Sequence, residues 1–396
     1  MLYAKSNPVE SIQEHINKLI NNMKILESIY GDKILRNKGF DKERFFYLLR
    51  LACLYHDVGK VYTPFQNKIL KSINKEEIPT DLSYSYIKHE QLSPLFIPFD
   101  ELDLQKEEII LLMQSIYFHH ERNVSEVSRD IVDKIIKEDI LPRLDSIQEE
   151  LDINLNRKPD NFYLSKVNKR IKYEDDLFIE YCLLKGLLHR IDHSSSANIV
   201  IESESEVGID ECAEKYLTTK FNDINELQKC AKESKNKNII VLGSTGIGKT
   251  EAALLWSGNE KVFFTLPIRV SINAIYDRIM DLIEYDNVGL LHSSALDYLE
   301  NKNSKDLDNE IRKYEESKHF ASKVTTCTID QIFPFVFKYK GYEKVYSTFS
   351  YANIIIDEIQ AYNPEIVAII LKGLEMINRL GGKFMIMTAT LPRIYK

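Results

Sequence analysis

The sequence lacks the features of disulfide-stabilised, zinc-ribbon and membrane-spanning proteins. Its five cysteines are scattered and none forms a C-x-x-C pair, which argues against a disulfide framework or a zinc ribbon and fits a reducing compartment. No apolar run approaches the roughly 18 residues that a bilayer span requires, and the first residues lack the basic-then-apolar pattern of a signal peptide. We therefore expect a soluble, cytoplasmic protein with no membrane partner.

An excess of positive charge is also absent. The formal net charge is −8 at pH 7, so a nucleic-acid partner would have to be held by a local basic track and not by the overall field. With 44% hydrophobic and 28% charged residues, the composition is that of an ordinary globular protein. A length of 396 residues predicts two or three domains.

The chain is organised around a glycine-rich motif at residues 243–250. The motif follows the apolar run 239–242 and precedes a helix-like segment, which is the strand–loop–helix context of a phosphate-binding loop. Lys249 would reach the β and γ phosphates of ATP, and the Thr250 hydroxyl would bind Mg²⁺. A chance glycine-rich turn is the alternative, and the flanking segments argue against it. The predicted nucleotide-binding residues in the loop are Gly243, Ser244, Thr245, Gly246, Gly248, Lys249 and Thr250.

Two further positions complete the predicted nucleotide site. Asp357 and Glu358 follow the apolar run 354–356, as an acid pair follows a Walker B strand. Asp357 would hold Mg²⁺, and Glu358 would orient and deprotonate the attacking water. Gln228, fifteen residues before Gly243, is a candidate for reading adenine, although a lone glutamine is more often a surface residue.

The hydrophobic pattern predicts a multidomain α and α/β protein. The first 200 residues show helical periodicity, with Ser11 as a candidate cap for the first helix, and predict an all-helical domain. Serines at 194–196 and an acidic stretch at 202–206 suggest a linker, assigned to 201–220. The α/β domain is predicted over 221–396. Its apolar runs alternate with helical segments and indicate a parallel sheet covered on both faces, with strands expected at 239–242, 262–266, 288–291, 324–327, 354–356 and 384–387.

A set of histidines and aspartates marks the helix ends of the first domain. Its members are His15, His56, Asp57, His89, His119, His120 and Asp192. Imidazole and carboxylate together suit divalent transition metals (Mn, Fe, Co, Ni or Zn), and Asp57, directly after a histidine, is the natural bridge between two ions. His15 and His89 taken singly would more often be packed or solvated histidines. Burying the adjacent residues His56-Asp57 or His119-His120 at the end of an apolar helix costs free energy unless their side chains form ion pairs or bind a metal. We expect His189 and His193 to be structural or to orient ligands.

These motifs resemble two families. The His-Asp order, with Gly59-Lys60 two residues after Asp57, resembles the HD phosphohydrolase superfamily, and in particular the HD nuclease domain of the CRISPR-associated type I helicase–nuclease. That resemblance implies a two-metal site that cuts single-stranded DNA. One metal would be held by His15, His56, Asp57 and Asp192, and the other by Asp57, His89, His119 and His120. Lys60 would lie near the scissile phosphate.

The second half resembles the first RecA-like domain of superfamily 2 helicases. Residues 265–269 and 326–331 resemble motifs that contact DNA, and 388–390 resembles motif III. The resemblance implies single-stranded DNA and a CRISPR guide-RNA surveillance complex as partners. In that family a second RecA-like domain follows, whereas only six residues follow Thr390 here, so we expect weak ATP hydrolysis from this chain.

Two other functions remain open at this point. One is an HD phosphohydrolase of nucleotides or cyclic nucleotides with a nucleotide-sensing lobe. The other is a non-catalytic module that docks on a partner complex.

Overall fold

The computed structural model describes residues 1–35, 41–83, 87–120, 127–302 and 307–390. Two compact units divide the chain. The first comprises Met1–Glu27 and Phe40–Asn198, and the second comprises Ser28–Gly39 and Ile199–Lys396. The terminal segment 391–396, which the sequence assigns to the α/β domain, lies outside the described residues.

The first unit is built mainly from helices. They are α1 (Ile12–Ile34, whose residues from Ser28 onward count with the second unit), α2 (Lys42–Tyr55), α3 (Thr63–Ser72), α4 (His89–Leu92), α5 (Lys106–Tyr117), α6 (Arg129–Ile135), α7 (Leu144–Leu151), α8 (Leu164–Val167) and α9 (Phe178–Ser196). Helix α9 is buried along almost its whole length and packs against α2 and α5. Because α9 is buried on all sides, it lies in the interior of this unit.

The prediction of an all-helical first domain is wrong in one respect. Strands β1 (Tyr3–Ser6) and β2 (Val9–Ser11) form an antiparallel hairpin ahead of α1. Strands of three and four residues are too short to show a period-2 pattern. The predicted cap is present: the Ser11 hydroxyl accepts from the Glu14 N–H at 3.1 Å, and the Glu14 carboxylate accepts from the Ser11 N–H at 2.8 Å.

The second unit contains the predicted parallel sheet. Its strands are β3 (Ile239–Leu242), β4 (Lys261–Thr265), β5 (Val288–Leu291), β6 (Val324–Cys327), β7 (Ala352–Asp357) and β8 (Lys383–Thr388). They lie in the order β3-β8-β7-β4-β6-β5, and every neighbouring pair is parallel. The carboxyl ends of the strands therefore meet at one edge, which brings together the segments that follow β3, β7 and β8.

Helices cover this sheet. They are α10 (Ile209–Phe221), α11 (Glu226–Glu233), α12 (Lys249–Ser257), α13 (Arg269–Asp277), α14 (Ala295–Lys302), α15 (Leu307–Lys318), α16 (Ile329–Ile332), α17 (Tyr342–Thr348) and α18 (Pro364–Arg379). Helices α10 and α11 each pack on α12, and Trp256 of α12 is fully buried. In the part of the chain that the structure describes, every helix is too short or too polar to cross a lipid bilayer.

The predicted linker at 201–220 is not a linker. Ser194 and Ser195 are buried in α9, Glu202 is buried in the second unit, and α10 begins at Ile209. The acidic composition suggested a solvated segment. However, the Glu202 carboxylate lies 2.7 Å from the buried Lys261 ammonium, and this pairing is what allows the acid to enter the core.

Candidate metal centre and nucleotide-binding site

Five helices of the first unit bring the predicted metal ligands together. His15 lies in the first turns of α1, His56 and Asp57 follow α2, His89 begins α4, His119 and His120 follow α5, and Asp192 lies on α9. Their ligand atoms form two groups in which all atoms lie within 4.8 Å of one another. One group is His15, His56, Asp57 and Asp192, and the other is Asp57, His89, His119 and His120.

Asp57 joins the two groups through its two oxygens. Its Oδ2 lies 3.5 Å from Nε2 of both His15 and His56. Its Oδ1 lies 3.3 Å from His89 Nε2 and 3.9 Å from His119 Nε2. Each oxygen of this one carboxylate therefore faces a different set of imidazoles, which is the arrangement that a bridging carboxylate requires.

Asp192 and His120 are the remaining members, one in each group. Asp192 Oδ1 lies 3.1 Å from His15 Nε2 and 3.8 Å from His56 Nε2. His120 Nε2 lies 3.1 Å from His89 Nε2. All seven predicted ligands are thus brought together, and six are buried, while His120 is half-buried.

The outer nitrogens of four histidines face oxygen atoms. His56 Nδ1 lies 3.1 Å from the Cys53 carbonyl, and His119 Nδ1 lies 2.6 Å from the Ile116 carbonyl. The outer nitrogens of His89 and His15 likewise face carboxylates: Glu90 at 3.3 Å and Glu10 at 3.8 Å, respectively. Such contacts favour a proton on Nδ1 and leave the Nε2 lone pair directed into the cluster.

Three polar atoms that point into the cluster have no hydrogen-bond partner among the described residues. His56 Nε2, His119 Nε2 and Asp57 Oδ1 are buried and have no hydrogen-bond partner there. Buried polar atoms without partners are costly, and coordination of a cation would satisfy all three. A set of histidines and aspartates around these atoms fits divalent transition-metal ions.

The electrostatics of the cluster favour the ligand protonation states. Burial would raise the pKa of Asp57, but the Lys60 ammonium and the His56 imidazole hold it well below its usual range. Burial and the neighbouring His120 lower the pKa of His119 well below normal, and burial together with His89 lowers the pKa of His120 to about 4. An ionised carboxylate among neutral imidazoles is the state in which these groups bind metal.

His15 differs from the other histidines in its charge. Burial would lower its pKa, but hydrogen bonds with Asp192 and Glu10 raise it to about 9. In the metal-free state its imidazole is therefore protonated at neutral pH, and metal binding at this position would release a proton.

Lys60, His189 and His193 were also named from the sequence and lie outside the two ligand groups. Lys60 Nζ contacts Asp57 Oδ2 at 2.6 Å. His189 and His193 contact each other through their Nε2 atoms at 2.8 Å and belong to neither ligand group. Their expected role, structural or in orienting ligands, remains a prediction.

Glu10 and Glu90 contact the cluster but were not predicted from the sequence. Glu90 directly follows His89, so the dipeptide was a signal that could have been used. Glu10 lies on β2, and its role depends on a hairpin that was not predicted. Gly59 is a third such position: a Cβ there would lie 2.1 Å from the His89 carbonyl oxygen, so only glycine lets α4 approach this closely.

The predicted phosphate loop connects β3 to α12. Gly246 and Gly248 have φ angles of +83° and +89°, which L side chains rarely adopt. Lys249 donates to the Gly243 carbonyl at 2.8 Å, so its ammonium lies over the loop. The first turn of α12 points its unpaired N–H groups into the same space.

A cavity of about 580 Å³ adjoins this loop. It is lined by Gln228, Thr245, Gly246, Gly248, Lys249, Thr250, Asp357 and Glu358 among the predicted residues. Gly243 and Ser244 do not line it, because they lie at the end of β3, where the Gly243 N–H donates to the Thr388 carbonyl at 3.1 Å. Phe221 and Arg278 also line the cavity, and neither was anticipated.

The acid pair at the end of β7 is connected to the end of β8. Burial and the adjacent Glu358 raise the pKa of Asp357 to about 6. The Gln360 amide donates to the Glu358 carboxylate, and its oxygen accepts from the Thr388 hydroxyl. Gln360 thus links the predicted water-activating acid to the motif III strand, a role that the sequence did not reveal.

Gln228 takes part in a helix cap. Its side-chain oxygen accepts from the Asn225 N–H at 2.9 Å, while Asn225 Oδ1 accepts from the Gln228 N–H at 3.0 Å. Its Nε2 faces the phosphate loop, since a Cβ on Gly248 would lie 2.5 Å from that atom. The adenine-reading role remains a prediction.

Residues 225–396, which include the phosphate loop and the acid pair that line this cavity, match the DEAD/DEAH box helicase family. The whole chain is 28% identical to the CRISPR-associated nuclease/helicase Cas3 of Methanothermobacter thermautotrophicus, and it spans 54% of that relative's length. Over 195 residues, 42% of this chain and 21% of the relative, it is 27% identical to the nuclease/helicase Cas3 of Streptococcus thermophilus.

A solved structure agrees with these similarities. The crystal structure of T. fusca Cas3-ATP matches 100% of this chain and 50% of its own, with a TM-score of 0.68 and 16% identity. The resemblance to Cas3-type CRISPR helicases is therefore confirmed over the full chain. The chain spans about half the length of the first of these relatives.

Proposed function

We propose that this chain is a metal-dependent single-strand DNA nuclease joined to an ATP-binding helicase lobe, and that it acts in CRISPR interference. The observation that carries the nuclease proposal is Asp57, whose two oxygens each face a separate set of imidazoles. Two such groups around one carboxylate are the donor set of a two-metal phosphodiesterase.

The protein's own groups would prepare the site for this chemistry. Bound divalent ions would supply Lewis acidity to a phosphodiester. His15, His56, Asp57 and Asp192 would hold one ion, and Asp57, His89, His119 and His120 the other. Lys60, now paired with Asp57, would turn to the non-bridging oxygens of the scissile phosphate and stabilise the charge that develops there.

The second unit would bind ATP with Mg²⁺. Loop N–H groups and Lys249 would hold the phosphates, and Thr250 and Asp357 would hold the Mg²⁺ ion. Glu358 would accept a proton from the attacking water, while Gln360 keeps its carboxylate in place. Single-stranded DNA would follow the segments after β4 and β6, and a CRISPR guide-RNA surveillance complex would present that strand.

The decisive experiment combines metal analysis with cleavage. We expect the purified chain to bind two transition-metal ions and to degrade single-stranded DNA with Mn²⁺, Co²⁺ or Ni²⁺. Asp57→Ala should reduce cleavage by at least about 100-fold, since metal ions contribute several kcal/mol of charge stabilisation. Asp176→Ala, which removes an exposed aspartate of the same unit, should leave cleavage unchanged.

Other outcomes would favour the other functions. Hydrolysis of nucleotides or cyclic nucleotides with DNA left intact would indicate a small-molecule phosphohydrolase. A chain that binds no metal and cleaves neither substrate would indicate a docking module. Full cleavage by Asp57→Ala would remove the assignment of this cluster.

A further inference from the structure

A pair of exposed aromatic rings occupies the segment between α16 and α17. Phe337 is 53% exposed and Tyr339 is 68% exposed, and their ring centroids lie 5.7 Å apart. Exposing large aromatic rings to water costs free energy. Two adjacent exposed rings are therefore a candidate contact surface. Neither residue lines the nucleotide cavity or the metal centre.

The segment is held rigidly by the aromatic residues that precede it. Aromatic side chains stand at alternate positions from 333 to 339, and the first two are buried. Phe333 packs onto α18, where a Cβ on Gly373 would lie 2.6 Å from its ring. Phe335 stacks on Tyr346 with centroids 5.5 Å apart. The outer two rings are thus presented from a fixed base and lose little freedom when a ligand binds.

The backbone turns sharply between the two exposed rings. Lys338 has a φ of +52°, in the left-handed region that lysine rarely adopts, and Gly341 follows with a φ of +79°. The Lys338 N–H donates to the Phe335 carbonyl at 2.9 Å and closes the preceding turn. A strained residue held in place by its surroundings is a common feature of binding sites.

The charge around the rings identifies the kind of ligand. Lys338 and Lys340 are exposed and alternate with the aromatic residues, and no acidic residue occurs from 337 to 342. This local positive charge stands out in a chain of net charge −8. Rings on which bases stack, with flanking cations for the phosphates, form the recognition pattern for single-stranded nucleic acid without sequence preference.

The aromatic segment belongs to the connection from β6 to β7. The segment follows β6 through α16 and a short 3-10 helix, Phe333–Phe337. We propose that Phe337 and Tyr339, with Lys338 and Lys340, form a stacking platform for single-stranded DNA. This inference rests on the proposed DNA substrate.

The test measures equilibrium binding of fluorescein-labelled oligo-dT to the full chain by anisotropy, in EDTA so that no cleavage occurs. We expect Phe337→Ala/Tyr339→Ala to weaken binding at least about fivefold, given the usual contribution of stacking. Phe337→Trp/Tyr339→Trp should retain binding. Lys338→Ala/Lys340→Ala should flatten the slope of log K against log salt by about 1.4, or about 0.7 for each lost phosphate contact.

Phe162→Ala is the matched control, because Phe162 is 58% exposed and has the Lys166 ammonium 5.1 Å from its ring centre. It should bind like the wild type, and ATP binding by all variants should be unchanged. Equal DNA affinity of Phe337→Ala/Tyr339→Ala and the wild type would overturn this inference alone and assign the surface to a protein partner. Failure of the wild-type chain to bind DNA would overturn it together with the proposed function.

Discussion

Glu90 shows how a residue outside the ligand set shapes the proposed metal centre. Its carboxylate is buried and lies 3.3 Å from His89 Nδ1, on the side away from Asp57. A carboxylate in this position fixes the tautomer and the orientation of the imidazole as a metal ligand. His89 belongs to only one of the two ligand groups, so Glu90 acts on one of the two proposed ions.

We predict that Glu90→Gln weakens the binding of one metal ion by about 10–100-fold and leaves the other ion bound, because the neutral amide loses the charge that supports His89. Titration against a competing chelator should show the stoichiometry falling from two toward one at limiting metal. Glu77→Gln, at an exposed position, is the control. Equal loss of both ions would contradict the separation of the two groups.

At the level of single residues, the sequence was informative where chemistry alone restricts the choice. Adjacent His-Asp and His-His residues at the ends of apolar helices cost free energy when they are buried without a partner, so they are seldom only structural. The structure brings both pairs together, as predicted. Glu10 and Gln360 could not be found in this way. Each acts through a partner brought close by the fold, and an isolated glutamate or glutamine in a sequence carries no sign of that partner.

At the level of elements, the strands were the most predictable part of the chain. A strand in a parallel sheet is covered on both faces, so it consists of consecutive apolar residues that stand out from amphipathic helices. The hairpin at β1 and β2 and the segment at 201–220 were missed for the opposite reason. The hairpin is too short to show a pattern, and Glu202 is an acid in an acidic stretch that nevertheless lies in the core.

The burial of Glu202 leads to a prediction about stability. Its carboxylate pairs with Lys261 at 2.7 Å and accepts from the Tyr351 hydroxyl at 2.8 Å, and both charged residues are almost fully buried. Glu202→Ala would leave the Lys261 charge buried without its counter-ion, at a cost of about 3–5 kcal/mol. For a unit of this size the melting temperature should fall by about 6–20 °C.

Fluorescence of Trp256 is the appropriate measurement for this prediction. It is the single tryptophan of the chain, and it is buried in the second unit, so its signal reports the melting of that unit. Glu206→Ala, which removes an exposed acid four residues away, should leave the transition in place. An unchanged transition in Glu202→Ala would show that the pair contributes nothing net.

At the level of the whole molecule, the two candidate sites are built from separate sets of residues. Every proposed metal ligand belongs to the first unit, and every residue lining the nucleotide cavity belongs to the second. Substitutions at sites that share no residues are expected to have independent effects. Each site should therefore be removable without loss of the other.

We predict that Lys249→Ala abolishes the thermal stabilisation of the chain by ATP and Mg²⁺, because the ligand stabilises the fold only to the extent that it binds. Mn²⁺-dependent cleavage of single-stranded DNA by the same variant, measured without ATP, should stay within about twofold of the wild type, since effects at independent sites add. Asp57→Ala should show the reverse pattern, with nucleotide stabilisation intact and cleavage lost.

Lys372→Ala, at an exposed lysine of α18, controls for the loss of a charge. Loss of cleavage in Lys249→Ala would mean that the phosphate loop supports the nuclease site even without nucleotide, and that the two units cannot be treated as independent.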